Sequence, residues 1–561
     1  MGRTDPPYEL VCPTRRVIQR HRESPPVEEA AVPPSSPLFS IVMPVYNPEE
    51  CWLRAAVASV RNQTHPSWEL CIADDASTEP GVRAFLEECP ATDPRIKVRR
   101  LPHRQGISGA SNAALEMARG LFVAFLDHDD ELAPQALFEV ARLLSEQPDL
   151  DLVYSDEDKI EPDGRHSEPF FKPEFSPDLL MSMNYIGHLT VVRRSLLEET
   201  GGFRPGFEGS QDYDLLLRLV ERTRRIAHLP RILYHWRKSR GSVAADPAAK
   251  VYAYEAAVRA LEETLARRGQ PGKVETTGPG RYRVRYLVDG HPLVSIVILT
   301  RNQGQLLSRC LSTLERKTDY RRYEVIVVDN GSTDPNTLGL LEDYSRRPRC
   351  RVLRLDQPFN YSRLNNLAAA EAKGDYLLFL NDDVEVVSPG WLEEMLGHAR
   401  RPEVGAVGAK LIYPNGKMQH GGVVLGLGGL AGHAFYLLSA DSPGYMGLAQ
   451  VVRNCSAVTG ACLMTRRSLF EALGGFDEGL SVAFNDVDFC LRLGEKGYYI
   501  VWTPFAVLIH HEGASRGRFT PKEDLDRFRA RWSRRLERGD PFAPKRLASA
   551  LDTSGLRGWK R

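Results

Sequence analysis

The sequence predicts an α/β protein made of two copies of one domain, each a parallel sheet covered by helices on both faces. Three observations carry this. Short β-branched runs alternate with amphipathic helical stretches, the pattern of strand–helix–strand crossovers. The whole series then occurs a second time. Polar and acidic clusters follow the apolar runs, where ligands sit beyond the carboxyl ends of parallel strands.

Taken in order, "SIVM" opens the first copy, a helical stretch leads to "LCIA", and another leads to "LFVAF"; "SIVI", "VIVV" and "YLLFL" are the counterparts. At motif level "FSIVMPVYN" (39–47) answers to "VSIVILTRN" (294–302), and "WELCIADDAST" (68–78) to "YEVIVVDNGST" (323–333). "SNAALEMARGLFVAFLDHDD" (111–130) answers to "NNLAAAEAKGDYLLFLNDDV" (365–384). Asp74 and Asp329 lie 255 residues apart, but the "GGF" triplets at 201–203 and 474–476 lie 273 apart. The second copy therefore carries roughly twenty extra residues, expected in the Gly-rich "QHGGVVLGLGGLAGHAF" (419–435).

These patterns divide the 561 residues into a Pro-rich, loosely ordered arm (1–37), a first domain (38–269), a linker (270–292), a second domain (293–520) and a basic helical extension (521–561). The first domain closes on a helix over 247–269, ended by Gly269 and Pro271. In the linker "RYRVRYLV" alternates like a short strand. The stretch 524–540 reads as an amphipathic helix with Leu525, Phe528, Trp532 and Leu536 on one face, docked on the second domain or touching a membrane surface.

Composition excludes some classes. Lys+Arg and Asp+Glu both number 73, so no basic field draws the chain onto nucleic acid. The nine cysteines show no Cys-x-x-Cys pair and read as reduced core thiols. The first residues lack the apolar core of a secretory signal, and no apolar run reaches the length of a membrane span, so a cytoplasmic protein is expected, at most peripheral to the inner face of a membrane.

Carboxylates gathered at strand ends need a cation or positive donors to stay ionised together. A hard divalent ion such as Mg²⁺, shared with substrate phosphates, meets that need. "SIVMPVYN", "IADDAST", "LDHDDEL", "GGFRPGFEGSQDYDLLLRL" and "YHWRKSRGS" resemble the successive motifs of family 2 glycosyltransferases. "SIVILTRN", "VVDNGSTD", "FLNDDVEV", "GGFDEGLSVAFNDVDFCLRL" and "HHEGASRG" repeat the series in the style of bacterial rhamnosyltransferase-like and O-antigen enzymes.

The resemblance implies two GT-A domains in tandem, a Rossmann-like fold for nucleotide-diphospho-sugar transfer with inversion. It implies Mg²⁺ or Mn²⁺, a UDP- or dTDP-linked donor, and a glycan or lipid-linked glycan acceptor of a cell-surface polysaccharide. Pro44, Tyr46 and Asp75 match positions that hold the nucleotide, with Asp75 accepting from a ring N–H. Asp127 and Asp129 match the DxD pair, Asp129 on the metal. Asp212 matches the general base, with Gln211 before it where the family often has Glu. His235 matches a histidine closing on the metal or diphosphate, with Arg237 and Lys238 near the phosphates.

In the second copy Thr300, Asn330 and Asn381 fall at nucleotide-side positions, Asp383 on the metal, and Asp486 as base. Arg301 replaces Tyr46. His511 matches His235 when the Ser-Arg-Gly triplets are aligned, and His510 on a one-residue shift. Asp130 has only Val384 opposite it.

Plainer roles compete. Asp74 and Asp329 suit turn or helix caps, and Asn112 and Asn366 suit helix caps more than substrate contact. At the level of function, the rival to two active sites is one catalytic domain beside a degenerate acceptor-binding one, for which Asn330 and Asn381 make the second copy the candidate. A receiver-type phosphoacceptor fold is too short for copies of this size, and glycoside hydrolysis needs no diphosphate site.

Overall fold

The computed structural model describes residues 37–238, 251–512 and 520–544. The arm to residue 36, the start of the helix expected at 247, Cys12, both Ser-Arg-Gly triplets and the residues after 544 lie outside these.

In the first copy the strands are β1 (Phe39–Val45), β2 (Trp68–Asp74), β3 (Ile96–Arg100), β4 (Phe122–Phe125), β5 (Glu131–Leu132), β6 (Leu152–Ile160), β7 (His166–Phe170), β8 (Thr190–Arg193) and β9 (Ile226–Arg237). They form one sheet in the order β3-β2-β1-β4-β8-β6-β9-β5, with β7 on β6. A hairpin of β10 (Gly272–Gly278) and β11 (Arg281–Tyr286) follows, where the alternating "RYRVRYLV" lies.

The second copy has β12 (Val294–Thr300), β13 (Tyr323–Asp329), β14 (Cys350–Arg354), β15 (Tyr376–Asn381), β16 (Val384–Val386), β17 (Val404–Ile412), β18 (Met418–His420), β19 (Val423–Leu425), β20 (Ala431–His433), β21 (Arg453–Cys455), β22 (Cys462–Arg466) and β23 (Tyr499–His510). Its order, β14-β13-β12-β15-β22-β17-β23-β16, reproduces the first strand for strand. The two sheets are one topology written twice.

Each sheet is mixed rather than wholly parallel. β1 pairs in parallel with β2 and β4, but β8 runs antiparallel to both β4 and β6. The reason is the connection: the chain turns back after β6 into β7, and β8 continues in β7's direction further along β6. The parallel half still sets the site. Val45 is level with Asp74 and Thr300 with Asp329, so the clusters after these strands emerge at one end of each sheet.

The extra residues of the second copy lie between β17 and β22, around β18 to β21. They join the copies. Met418, Val424, Phe435, Leu448 and Val451 belong to the same apolar core as Phe170, Leu180, Tyr185 and Tyr213 of the first copy. Asn454 accepts hydrogen bonds from Ser176 Oγ (2.9 Å) and Asp178 N (3.0 Å) and donates to Asp178 Oδ2 (2.7 Å). Arg401 closes a buried ion pair with Asp178 at 2.6 Å.

The basic helix Lys522–Arg538 docks on the second copy. Phe528 and Trp532 are buried in its core, and Trp532 Nε1 donates to Asp488 at 3.0 Å. The eight described cysteines are free thiols, and all but Cys51 are buried.

Candidate active site

At the ends of β2 and β13 the first aspartate is a turn cap. Asp74 Oδ1 accepts from Ser77 N and Asp329 Oδ1 from Ser332 N, both at 2.9 Å. The second position differs between copies. Asp75 accepts from the backbone of Gln105 (2.5 Å) and Gly106 (2.9 Å), which ties it to the start of the helix Gly106–Leu115 that follows β3 and leaves only its spare lone pairs for a base N–H. Asn330 works with reversed polarity: Nδ2 donates to the carbonyls of Leu355 and Gln357, both at 2.8 Å, and Oδ1 is buried without a partner. Tyr46 lies half exposed beneath Arg104, whose guanidinium sits 4.2 Å from the ring centre, and Arg301 is exposed. The Pro44 carbonyl faces His128 Nδ1 at 3.1 Å, and Thr300 Oγ1 donates to Asp382 at 2.7 Å.

After β4 the acids divide by role. Asp130 is fully buried and accepts from Tyr234 Oη (2.6 Å) and Arg237 N (2.7 Å), a structural anchor. Asp127 and Asp129 stay partly open. Burial pushes the Asp127 carboxyl above its usual range, His188 opposes this, and the charges of Asp129 and Asp212 add to it. Three carboxylates thus act on one another.

His188 is the residue that sequence reasoning missed. It stacks on Tyr234 with centroids 4.5 Å apart, and its Nδ1 lies 3.5 Å from Glu157. Burial lowers its pKa, but Glu157, Asp127 and Asp130 outweigh that and raise it to about 9. Glu157 in turn, despite burial, is held at about 2 by Lys172 and His188. Lys172 Nζ is 3.0 Å from Glu157 and donates to the carbonyls of Ile186 (2.6 Å) and His188 (2.5 Å). A fixed cation therefore stands beside the first acidic strand end.

The two helix-borne acids lie in first helical turns. Asp212, in Gln211–Val220, accepts from Asn184 Nδ2 at 2.8 Å; Asp486, in Asn485–Glu495, accepts from Gly460 N at 2.7 Å. Asn184 is a second residue the sequence did not flag. Gln211 accepts from Gly209 N at 2.8 Å, a local turn contact. Asp214 and Asp488, two residues on, are buried and paired with Arg218 and Arg492 (both 2.8 Å), which donate to the carbonyls of Gly202 and Gly475.

Asn112 and Asn366 are not helix caps. Each lies inside its helix and clasps a distant backbone unit: Asn112 accepts from Phe203 N (2.9 Å) and donates to Phe203 O (2.8 Å), while Asn366 does the same to Phe476 at 2.9 and 3.0 Å.

The histidines need correction. His235 does not turn to Asp129: its Nδ1 is bonded to Asp158 at 2.5 Å, because Tyr234 and Trp236 on either side of it occupy the His188 face of β9. His511 reaches Glu385 at 2.6 Å, whereas His510 Nε2 lies 3.1 Å from Asp383 Oδ1 and 3.4 Å from Asn381 Nδ2. Arg237 pairs with Glu131, and Lys238 with Glu161 and Glu168 (2.6 Å each), so both are already engaged. The extra residues also bring His420 and His433 together, Nδ1 to Nδ1 at 2.7 Å, and Thr459 N donates to His420 Nε2 at 3.4 Å. Thr459 adjoins Gly460, which holds Asp486.

The donor set fits a hard cation. Asp383 Oδ1 is buried without a well-aligned hydrogen bond, and the acids around Asp127 repel one another. Were such an ion bound at the strand ends, Asp129 and Asp383 would be the carboxylates to hold it.

The sequence model of glycosyl transferase family 2 matches residues 40–201 and 295–474, one stretch in each copy. The chain is a family 2 glycosyltransferase. It is 47% identical over 511 residues to the uncharacterized protein y4gI of Sinorhizobium fredii, a match covering 90% of this chain and 56% of that one. It is 44% identical over 526 residues to the O-antigen biosynthesis protein RfbC of Myxococcus xanthus, covering 93% and 41%. The chain therefore spans about half the length of these two relatives. An N-acetylglucosaminyl-diphospho-decaprenol L-rhamnosyltransferase of Mycobacterium tuberculosis is 30% identical over 246 residues, covering 40% of this chain and 78% of its own. In this family 2 chain each of the two matched stretches falls on one of the two repeated sheets.

Proposed function

We propose that the chain is an inverting glycosyltransferase with two donor sites, which adds sugars from UDP- or dTDP-linked donors to a lipid-linked glycan at the cytoplasmic face of a membrane. One observation carries the reading: in both copies a carboxylate on the first turn of a helix is held by a hydrogen bond from the segment before β8 or β22, with Asp212 acting directly on the strand-end Asp127 in the first copy and His433 lying between Asp486 and the His510 that meets Asp383 in the second. In each site Asp212 or Asp486 takes the proton of the acceptor hydroxyl as it attacks the anomeric carbon from the face opposite the leaving diphosphate. A Mg²⁺ or Mn²⁺ ion held by Asp129 or Asp383 would supply Lewis-acid charge to that leaving group. Pro44, Tyr46 and Asp75 line the first nucleotide pocket; Thr300, Asn330 and Asn381 line the second, whose different polarity suits a different donor.

The relatives support a polysaccharide or O-antigen product and a diphospholipid-linked acceptor. Among the described residues no helix is long and apolar enough to cross a membrane. Because Phe528 and Trp532 are spent on docking, membrane approach falls to the exposed Arg529, Arg534, Arg535 and Arg538.

A second reading makes the second copy an acceptor-binding domain. Asn381 favours it by removing a carboxylate, as does Asp382, which burial pushes up to about 7. Asp212→Asn and Asp486→Asn, tested separately with a panel of nucleotide sugars, decide. Two-site catalysis predicts that each abolishes a different linkage. A substitution that leaves every linkage intact sinks it.

A further inference from the structure

We propose that Asp158, His166 and His235 form a binding site in the first copy for a transition-metal ion of the zinc class, separate from the acidic strand ends. The three come from adjacent strands. Asp158 on β6 is level with His235 on β9, and β7 brings His166 to the other side of β6. His235 Nδ1 is 2.5 Å from Asp158 Oδ1, and His166 Nδ1 is 3.1 Å from Oδ2. The imidazoles meet edge to face, with centroids 4.3 Å apart, and one ligand atom from each residue lies within 4.8 Å of the others. Tetrahedral coordination at about 2.0–2.2 Å per bond needs little more than a small opening of this cluster.

The donor chemistry selects the ion. Two imidazole nitrogens and one carboxylate suit Zn²⁺, Co²⁺ or Ni²⁺, whereas Mg²⁺ prefers an all-oxygen shell. The neighbouring cations are committed elsewhere: Arg237 to Glu131, Lys159 to Glu168 and Lys238 to Glu161. Asp158 is buried, but the His166 side chain is 42% exposed, which leaves a way in for the ion and room for a water as fourth ligand.

The second copy supplies an internal control. At the corresponding positions in the sheet stand Lys410 for Asp158 and Met418 for His166, and for His235 the apolar Val507, level with Lys410, or Ile509, level with Glu385. All three ligands change together to residues that would not hold zinc, while the sheet around them is retained. Hydrogen bonding of His166 and His235 to Asp158 without any ion is the competing account. Bound metal would pin the β6–β7 hairpin to the end of β9, beside the Arg237–Glu131 contact.

Full-length chain, stripped with chelator and dialysed, is titrated with Zn²⁺ by calorimetry and with Co²⁺ by visible absorption. The Asp129→Asn/Asp383→Asn double variant is titrated in parallel to remove uptake at the acidic strand ends. One equivalent of Zn²⁺ is expected in that double variant, with Co²⁺ d–d bands. Adding His166→Ala, on the exposed hairpin, or His235→Gln should weaken it at least about tenfold. Zinc should also raise the thermal midpoint, and His166→Ala should abolish the rise; circular dichroism checks that the variants fold. Absence of zinc uptake in the double variant, or uptake that His166→Ala leaves unchanged, overturns the proposal.

Discussion

His511 bonds to Glu385 through Nε2 at 2.6 Å, the contact that Arg237 makes with Glu131 in the first copy. Its neighbour His510 therefore takes the opposite face of β23 and meets Asp383. His510→Ala is expected to weaken Mn²⁺-dependent donor binding at the second site by about 10–100-fold, a loss of the size seen when metal-site partners are removed. His511→Ala should leave that binding near its original strength. Calorimetric titration of donor into each variant in an Asp129→Asn background reads the second site alone.

The His188 cluster makes stability depend on pH. His188 is raised from the ordinary histidine value near 6.5 to about 9, so its contribution is complete below 6.5 and is lost as pH rises through 9. The thermal midpoint should fall between pH 6.5 and 9, and His188→Gln should flatten that fall. An equally steep profile in the variant would refute the assignment.

Arg401 and Asp178 tie the two copies together from a buried position. Arg401→Ala leaves Asp178 uncompensated and should cost about 3–5 kcal/mol in urea unfolding. Asp178→Ala/Arg401→Ala should cost less than the sum of the single changes.

Asn112→Ala and Asn366→Ala each strand a backbone N–H and a carbonyl at the "GGF" turns. A loss of about 1–3 kcal/mol is expected for each. Asn112→Asp should recover part of it, because Oδ1 can still accept from Phe203 N. Chemical denaturation curves compare the three.

How much of this was legible depended on whether the signal was local or doubled. The strand runs and their repetition gave two like domains, and their spacing put the extra residues of the second copy between β17 and β22. Strand order was not legible, since β8 owes its direction to a return path that no local pattern records. Asp212 and Asp486 stood out because both copies carry them. His188 did not, because Ala461 answers to it in the second copy and nothing repeats. His510 and His511 could not be separated by motif alignment, since a shift of one residue along a strand exchanges the faces. Asn112 resembled a helix cap because its true partner, Phe203, is 91 residues away.

The apolar core that runs from Phe170 and Tyr185 into Phe435 and Leu448 has a consequence for traffic. Bending one copy away from the other would expose that seam to water, so the apolar seam resists any separation of the two copies. On the proposed two-site reading, a glycan served by both clefts would do the travelling: it would let go of one and find the other, and product length would depend on how often it makes the crossing before it escapes.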